Sequence, residues 1–126
     1  MFENRINTFY CVNGDGALVK EVTFELSKTL NLNFQVQFFN LNLQDDHYFQ
    51  IAYANTQGQS DFTERVKIDK NSNSDPGLQI EMTIPVDKTE NIQFILRLVS
   101  EDDLNILDEK TCYCHIVKRG NSNDEA

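Results

Sequence analysis

The sequence predicts an all-β fold, an antiparallel β-sandwich of about eight strands with an immunoglobulin-like or jelly-roll-like topology, with a β-barrel as second choice. Apolar and polar residues alternate in several segments, a period that gives a strand one apolar face and gives a helix none. Turn-forming residues separate these segments, and no long helical pattern is found. Because 126 residues supply one core, we expect a single domain over 1–119 and a disordered polar tail over 120–126.

The first three strands are predicted from residue 6 to residue 38. Residues 6–12 form the first strand, and a hairpin loop at 13–16 follows because its glycines and Asx residues accept positive φ. The chain is then expected to return as a strand over 17–26. In residues 30–38 every even position is apolar and every odd one is an amide. The apolar phase shifts at Phe38-Phe39, which predicts a β-bulge or a crossing between sheets.

The later part of the chain also has the character of strands. Further strands are predicted at residues 49–54, 62–68, 78–84, 92–99, 104–107 and 111–117. The segment 92–99 is apolar on both faces, which is typical of a central strand. The segments 62–68 and 78–84 have one polar face each. These patterns favour a sandwich with one buried layer between two sheets.

The chain is acidic, with 20 Asp and Glu residues against 11 Lys and Arg residues and a formal net charge of -9. Negative charge opposes binding to phosphate backbones and anionic lipids, so we expect neither direct nucleic-acid binding nor membrane binding. No signal-like start and no apolar run of about 20 residues is found, so the expected location is cytoplasmic. The candidate binding residues lie in acidic runs that we predict to be loops: Asp45, Asp46, Glu101, Asp102, Asp103, Asp108 and Glu109. Their expected partner is another protein with a basic surface.

The three cysteines, Cys11, Cys112 and Cys114, are predicted to be free thiols that pack as small apolar groups. Together with His115 they include ligand types that zinc accepts. On a strand, however, Cys112 and Cys114 share one face and His115 points to the other. We therefore predict no metal site. A disulfide between Cys112 and Cys114 is also not expected, and Cys11 could form one only if the first and last strands are neighbours.

The run Asp45-Asp46-His47 places two carboxylates beside an imidazole. Members of a catalytic triad converge from distant segments, and no nucleophile motif accompanies this run. His47 is therefore predicted to be a surface histidine at the start of a strand. The sequence Gly14-Asp15-Gly16 does not open a helix, so it does not form a phosphate-binding loop. We predict no catalytic residues, no enzyme activity and no cofactor.

Five short motifs over most of the chain carry a family resemblance. They are Thr8-Phe9-Tyr10-Cys11, Gly14-x-Gly16-x-Leu18, His47-x-Phe49-x-Ile51, Asn55-Thr56-Gln57-Gly58 and Ile92-x-Phe94-x-Leu96-x-Leu98. In these motifs the chain resembles a group of small bacterial and phage β-sandwich proteins of unknown function. It departs from that group at Val12, where the group tends to have Asp, and at Asn91-Ile92, where it tends to have a Gly-Tyr pair. The resemblance implies the fold and a bacterial or phage origin, and it implies no activity.

The predicted function is that of a non-catalytic protein-binding module, because no catalytic set is found and the loops are rich in polar residues. Two narrower alternatives stay open. One is a phage- or mobile-element-encoded inhibitor that blocks the basic nucleic-acid-binding groove of a host-defence protein. The other is a structural subunit of a phage or secretion assembly. An enzyme or small-ligand carrier is favoured only by the nine phenylalanines, which core packing explains equally well.

Overall fold

A computed structural model describes residues 2–102 and 105–120, and within these ranges the chain forms nine strands and no helix. The strands are β1 (Arg5–Val12), β2 (Glu21–Phe24), β3 (Thr29–Phe39), β4 (His47–Asn55), β5 (Gly58–Gln59), β6 (Val66–Lys67), β7 (Gly77–Pro85), β8 (Glu90–Ser100) and β9 (Ile106–Lys118). One sheet has the order β1-β3-β7, and the larger sheet has the order β2-β9-β8-β4-β5, with β6 also paired to β4. The β-sandwich prediction is confirmed. The predicted tail, apart from Gly120, lies outside the described residues. No helix in the described ranges could cross a membrane.

The two sheets meet in a core of aromatic and branched side chains. Phe34 of β3 and Phe94 of β8 are fully buried, and their ring centroids lie 4.8 Å apart across the two layers. Phe9 of β1 adds a third ring, 5.3 Å from that of Phe34. Burying each ring stabilises the fold by about 2–3 kcal/mol. The alternating sequence of β3 therefore places its even-numbered side chains in the core, as predicted.

The prediction of a central strand at 92–99 is confirmed. Strand β8 lies between β9 and β4 and pairs antiparallel with both. Its Leu96 and Leu98 are completely buried, and Ile95 and Val99 on the opposite face are also buried. A strand covered on both faces needs apolar residues at consecutive positions, which explains the loss of alternation in this segment.

The predicted hairpin loop at 13–16 forms, with Asn13 donating to Ala17 and Val19 donating to Cys11, but the predicted return strand over 17–26 is wrong. After β1 the chain makes one isolated antiparallel bridge, between Val12 and Leu18. It then crosses to the other sheet, where β2 pairs parallel with β9 from Glu21 opposite His115 to Phe24 opposite Lys118. Within the described part of the chain the sandwich therefore contains one parallel pair. The tight loop allows a return strand but does not determine which strand the following residues join.

Of the two alternatives predicted at Phe38-Phe39, no bulge forms, and the chain instead leaves the small sheet there and crosses to the large one. Strand β3 ends at Phe39, and Asn40 takes a positive φ of 56° that redirects the chain. The irregular register lies on β1, between Ile6 and Thr8. Asparagine adopts this left-handed conformation more readily than most residues, so a turn replaces the bulge.

Two other strand predictions need correction. In the predicted strand 62–68 only Val66–Lys67 pair, and Val66 is exposed whereas Ile68 is buried. The predicted strands 104–107 and 111–117 belong to one long strand, β9, and Leu104 lies outside the described residues. The charged residues between them interrupt the apolar pattern without interrupting the strand, because their side chains find partners on β1 and β8.

The strand directions define two ends of the sandwich. The His47 end consists of residues 2–4 and the loops at 40–46, 68–76 and 101–102. The His115 end consists of the loops at 13–20, 25–28, 56–57 and 86–89. Each connection that carries an acidic pair, Asp45-Asp46 or Glu101-Asp102, lies at the His47 end.

Candidate functional site

His47 is buried at the first position of β4, with only 2% of its surface exposed, so the prediction of a surface histidine is wrong. Its Nε2 lies 2.8 Å from Asn4 Oδ1, and its Nδ1 lies 3.0 Å from Lys70 Nζ. An ammonium group only donates and a carbonyl oxygen only accepts. The imidazole is therefore neutral, with its hydrogen on Nε2. We name these three residues, Asn4, His47 and Lys70, the polar pin.

The polar pin holds three segments of the His47 end together. Lys70 Nζ donates to the carbonyl oxygen of Asn42 at 2.8 Å and to that of Asp45. Asn4 Oδ1 also accepts from the backbone N–H of Asn42 at 2.9 Å. These bonds tie the loop at 40–46 to the N-terminal segment and to the loop that follows β6. The polar pin thus anchors the loop that carries Asp45 and Asp46 through hydrogen bonds, most of which are partly buried.

Burial lowers the pKa of His47, and the positive charge of Lys70 lowers it further, while Asp45 and Asp46 act in the opposite direction. Burial also lowers the pKa of Lys70, and the same two carboxylates oppose that shift. Both ring nitrogens of His47 are engaged, so Nδ1 has no lone pair available to accept a proton from a substrate. The geometry gives His47 a role in holding the loop.

Four of the predicted binding residues line one surface depression of 330 Å³ at the His47 end: Asp45, Asp46, Glu101 and Asp102. We name this set the acidic rim. Its two halves lie far apart in sequence, and the pairing of His47 with Ser100 between β4 and β8 brings them together. Leu107 and Asn105 also line the depression. Asp103 lies outside the described residues.

A second depression, of 510 Å³, adjoins the acidic rim and shares Asp46 with it. Its lining has both signs of charge, because Lys67 and Lys70 lie there together with Asp69. Asp46 Oδ1 is 3.6 Å from Lys67 Nζ. The excess of negative charge at this end is therefore concentrated on the side formed by the acidic rim.

Asp108 and Glu109 are not in a loop, so that part of the prediction is wrong. They lie within β9, where Asp108 Oδ2 accepts from the backbone N–H of Ile6 at 2.8 Å. Glu109 Oε2 forms an ion pair with Arg97 Nε at 2.8 Å, across the two paired strands. Both carboxylates have partners within the sandwich, and neither belongs to the acidic rim.

The three cysteines lie where β1 and β9 meet, and all are free thiols. Cys11 and Cys114 are buried, and a hydrogen bond between their thiols together with burial raises the pKa of Cys114. Burial raises the pKa of Cys112 to about 12. His115 is exposed on the other face of β9, which confirms the predicted split, and its Nδ1 lies 2.5 Å from Asn91 Oδ1. No metal-binding group of three or more His, Cys, Asp or Glu residues occurs within residues 2–102 and 105–120.

No family model matches the chain, and no curated protein matches it. Among solved structures it is similar to a chain from Bacteroides fragilis that carries the name beta-galactosidase, with a TM-score of 0.61 and 13% identity over 87% of this chain and 17% of that one. Two structures of a glycosyl hydrolase family 2 member from Bacteroides cellulosilyticus have TM-scores of 0.60 at 10% and 9% identity. The similarity again covers 87% of this chain, but only 15% and 14% of those chains. At such identities the similarity shows the sandwich fold alone.

Proposed function

We propose that this chain is a non-catalytic module that binds another protein, and that the acidic rim recognises a basic surface on that partner. The observation that carries the proposal is the convergence of two distant acidic pairs, Asp45-Asp46 and Glu101-Asp102, around one depression. Negative potential from several carboxylates at one site attracts Lys and Arg side chains and accelerates encounter.

The polar pin makes this surface suitable for binding. A loop that is already held in place loses little conformational entropy when a partner docks, so more of the interaction energy appears as affinity. The pin holds the carbonyl groups of Asn42 and Asp45 and leaves the side chain of Asp45 exposed. The Asp45-Asp46 half of the rim is thus held in place by the fold.

The depression fits the side chains of a basic partner. A Lys or Arg residue carries an apolar stem below its charged group, and the stem packs well on apolar surface. Leu107 supplies apolar surface in the depression, and the four carboxylates surround it. We therefore expect one or two basic side chains of the partner to enter the depression.

The test is affinity capture from a lysate of the source cells at low and high salt with three baits. The baits are the native chain, an acidic-rim variant (Asp45→Asn, Asp46→Asn, Glu101→Gln, Asp102→Asn) and a matched variant at the other end (Asp15→Asn, Glu21→Gln, Glu25→Gln, Asp87→Asn). We expect the native chain and the matched variant to capture the same basic partner. The acidic-rim variant should lose it, and high salt should weaken it, because exposed charges are screened.

Two results would count against the proposal. A partner that the acidic-rim variant retains would be bound elsewhere on the sandwich. A partner whose capture is insensitive to salt would be held by apolar contacts. Circular dichroism of all three baits checks that the substitutions leave the fold intact.

An inhibitor of a nucleic-acid-binding protein is a narrower form of this proposal. In that case the carboxylates of the rim would take the place of phosphate groups in the partner's groove. Purified partner would then bind DNA or RNA less well in the presence of the native chain and normally in the presence of the acidic-rim variant. A structural subunit would instead co-purify in a fixed ratio with the components of a large particle.

A second candidate function is that of an accessory module of a larger carbohydrate-active protein. The similar structures named above are glycosyl hydrolases that are several times longer than this chain. The outer face of the small sheet also has Tyr10, Gln35 and Gln79 in one row across three strands, and such groups can form hydrogen bonds with sugar hydroxyls. Titration with galactose-containing oligosaccharides should shift the NMR signals of this row, and unchanged spectra would contradict this candidate.

A further inference from the structure

Among the described residues, strand β7 pairs on one side only. It is antiparallel to β3 from Pro85 opposite Thr29 to Gly77 opposite Gln37, and it ends the order of the small sheet. At the two ends of this pairing, Phe38 donates to Pro76 and Val86 donates to Lys28, each at 2.9 Å. In an antiparallel pair, residues that bond the neighbour alternate with residues that turn their backbone away. The even-numbered residues of β7 therefore bond β3, and the odd-numbered residues face away from it.

The outward backbone groups of β7 have no partner among the described residues. They are the N–H and C=O groups of Gly77, Gln79, Glu81 and Thr83, and all four residues are exposed. The other edge of the same sheet differs. On β1, the N–H of Ile6 donates to Asp108 at 2.8 Å, and its C=O accepts from Lys110 at 3.2 Å. Side chains of β9 thus cover the β1 edge at Ile6, whereas the β7 edge presents free groups to a further strand.

We propose that β7 pairs antiparallel with β7 of a second copy of this chain, about a two-fold axis that passes between the two Ile80 residues. In this register Gln79 lies opposite Glu81 on the outer face, and Gly77 lies opposite Thr83. On the inner face Leu78 lies opposite Met82. The two small sheets become one continuous sheet of six strands, and the interface is the same patch on both copies.

Side-chain chemistry selects this register. Leu78 and Met82 are only half-buried, although they pack on the core, so each covers the other's remaining apolar surface across the axis. At two equivalent positions, one on each side of the axis, the Gln79 amide of one copy lies opposite the Glu81 carboxylate of the other. Shifting the axis to Glu81 would place two carboxylates opposite each other, which is destabilising. Shifting it to Gln79 would leave Glu81 opposite Gly77 and would separate Leu78 from Met82.

The arrangement is also compatible with the charge of -9 on each copy. Antiparallel pairing places the His47 end of one copy beside the His115 end of the other. The two acidic rims then lie at opposite ends of the dimer, and repulsion between them is screened over such distances. At each end of the pairing, Lys28 and Lys88 of one copy lie on the side of the Asp75 of the other, because Asp75 falls opposite Pro85 in this register.

Sedimentation velocity of the full chain over a range of concentrations tests the proposal. We expect a concentration-dependent dimer for the native chain and a monomer for Thr83→Pro. Proline at an outward position of an edge strand removes the outward N–H and no backbone bond to β3. It also removes the exposed hydrogen bond from Thr83 Oγ1 to Asn31 Oδ1. The backbone pairing with β3 and the circular dichroism spectrum should therefore be kept. A native chain that is monomeric up to about 1 mM would overturn the proposal, and so would a folded Thr83→Pro variant that still dimerises.

A charge series keeps the proposal testable if Thr83→Pro does not fold. We expect Gln79→Lys to tighten the dimer about tenfold and Gln79→Glu to weaken it about tenfold, since the axis doubles each cross-strand charge pair. Asn7→Lys and Asn7→Glu make the same charge changes at an exposed position of β1. They should change the dissociation constant of the dimer less than about twofold. Equal effects at the two positions, or none at Gln79, would overturn the proposal. The acidic-rim variant should dimerise like the native chain, so this result is independent of the proposed function.

Discussion

The two histidines of this chain lie at opposite ends of the sandwich and in opposite environments. His47 is 2% exposed and is bonded on both ring nitrogens by the polar pin. His115 is exposed, and its side chain contacts Asn91. Strand pairing reaches the loops at both ends, with Arg5 opposite Phe39 and His47 opposite Ser100 at one end and Thr29 opposite Pro85 at the other. The His47 end differs because side chains of the polar pin also bind its loop at 40–46. The difference shows that the loop with Asp45 and Asp46 is anchored by side-chain hydrogen bonds in addition to strand pairing.

The largest effect is expected from His47→Ala. The substitution leaves a cavity and removes the acceptor for Lys70 and the donor to Asn4, so we expect a loss of about 2–4 kcal/mol in the free energy of unfolding. His115→Ala, the matched change at the other end, should cost less than about 0.5 kcal/mol. Urea denaturation of both variants measures the difference. Equal losses would show that the polar pin does not stabilise the His47 end.

Lys70→Met should have the next largest effect. The variant keeps the apolar stem but loses the hydrogen bonds to Asn42, Asp45 and His47, at an expected cost of about 1–2 kcal/mol. Amide hydrogen exchange in the loop at 40–46 should become faster, because its anchor is gone. Lys28→Met at the His115 end is the control and should change neither quantity. Unchanged exchange in Lys70→Met would mean that other contacts hold the loop.

Stability should fall in acid because of His47. Burial, aided by Lys70, lowers its pKa in the folded state below the 6.5 of an exposed histidine. Between these two values the unfolded chain binds a proton that the folded chain does not, so stability decreases as the pH falls through 6.5. Unfolding free energies at pH 8, 6.5 and 5 should show this slope in the native chain and a smaller one in His47→Gln. Identical slopes would contradict the assignment of a neutral buried imidazole.

The smallest effect on stability is expected from Asp46→Asn. Its ion pair with Lys67, at 3.6 Å, is solvent-exposed, so the change should stay within about 0.5 kcal/mol. Asp15→Asn at the other end should behave alike in a thermal melt. A loss above about 1 kcal/mol for Asp46→Asn alone would mean that the acidic rim contributes to folding, and binding assays of rim variants would then need stability controls.

The core was predictable from the sequence, and the partners of particular segments were not. Alternation in β3 and β7 and the doubly apolar β8 can be satisfied only by strands. The parallel pairing of β2 with β9 could not be predicted, because four residues, Glu21–Phe24, carry no local information about their neighbour. In the run Asp45-Asp46-His47, the histidine is buried and bonds Asn4 and Lys70, whereas the two aspartates lie on the acidic rim.

The residues of the acidic rim were predictable from the sequence, but their convergence into one site was not. Asp45-Asp46 and Glu101-Asp102 were recognised as candidates from their charge, but their convergence depends on the register of β4 with β8. The burial of His47 was missed because its partners are 43 and 23 residues away in sequence. Neither Asn4 nor Lys70 has a local pattern that distinguishes it from other polar loop residues.

Site-specific photo-cross-linking tests the binding role of the acidic rim most directly. A photoreactive amino acid at Asn105 lies beside the depression, and one at Gln57 lies at the His115 end, so two exposed amide positions are compared. After irradiation in a lysate of the source cells, we predict a protein adduct from Asn105 that decreases at high salt and no such adduct from Gln57. An adduct from both positions, or none from Asn105, would contradict recognition through this end of the sandwich.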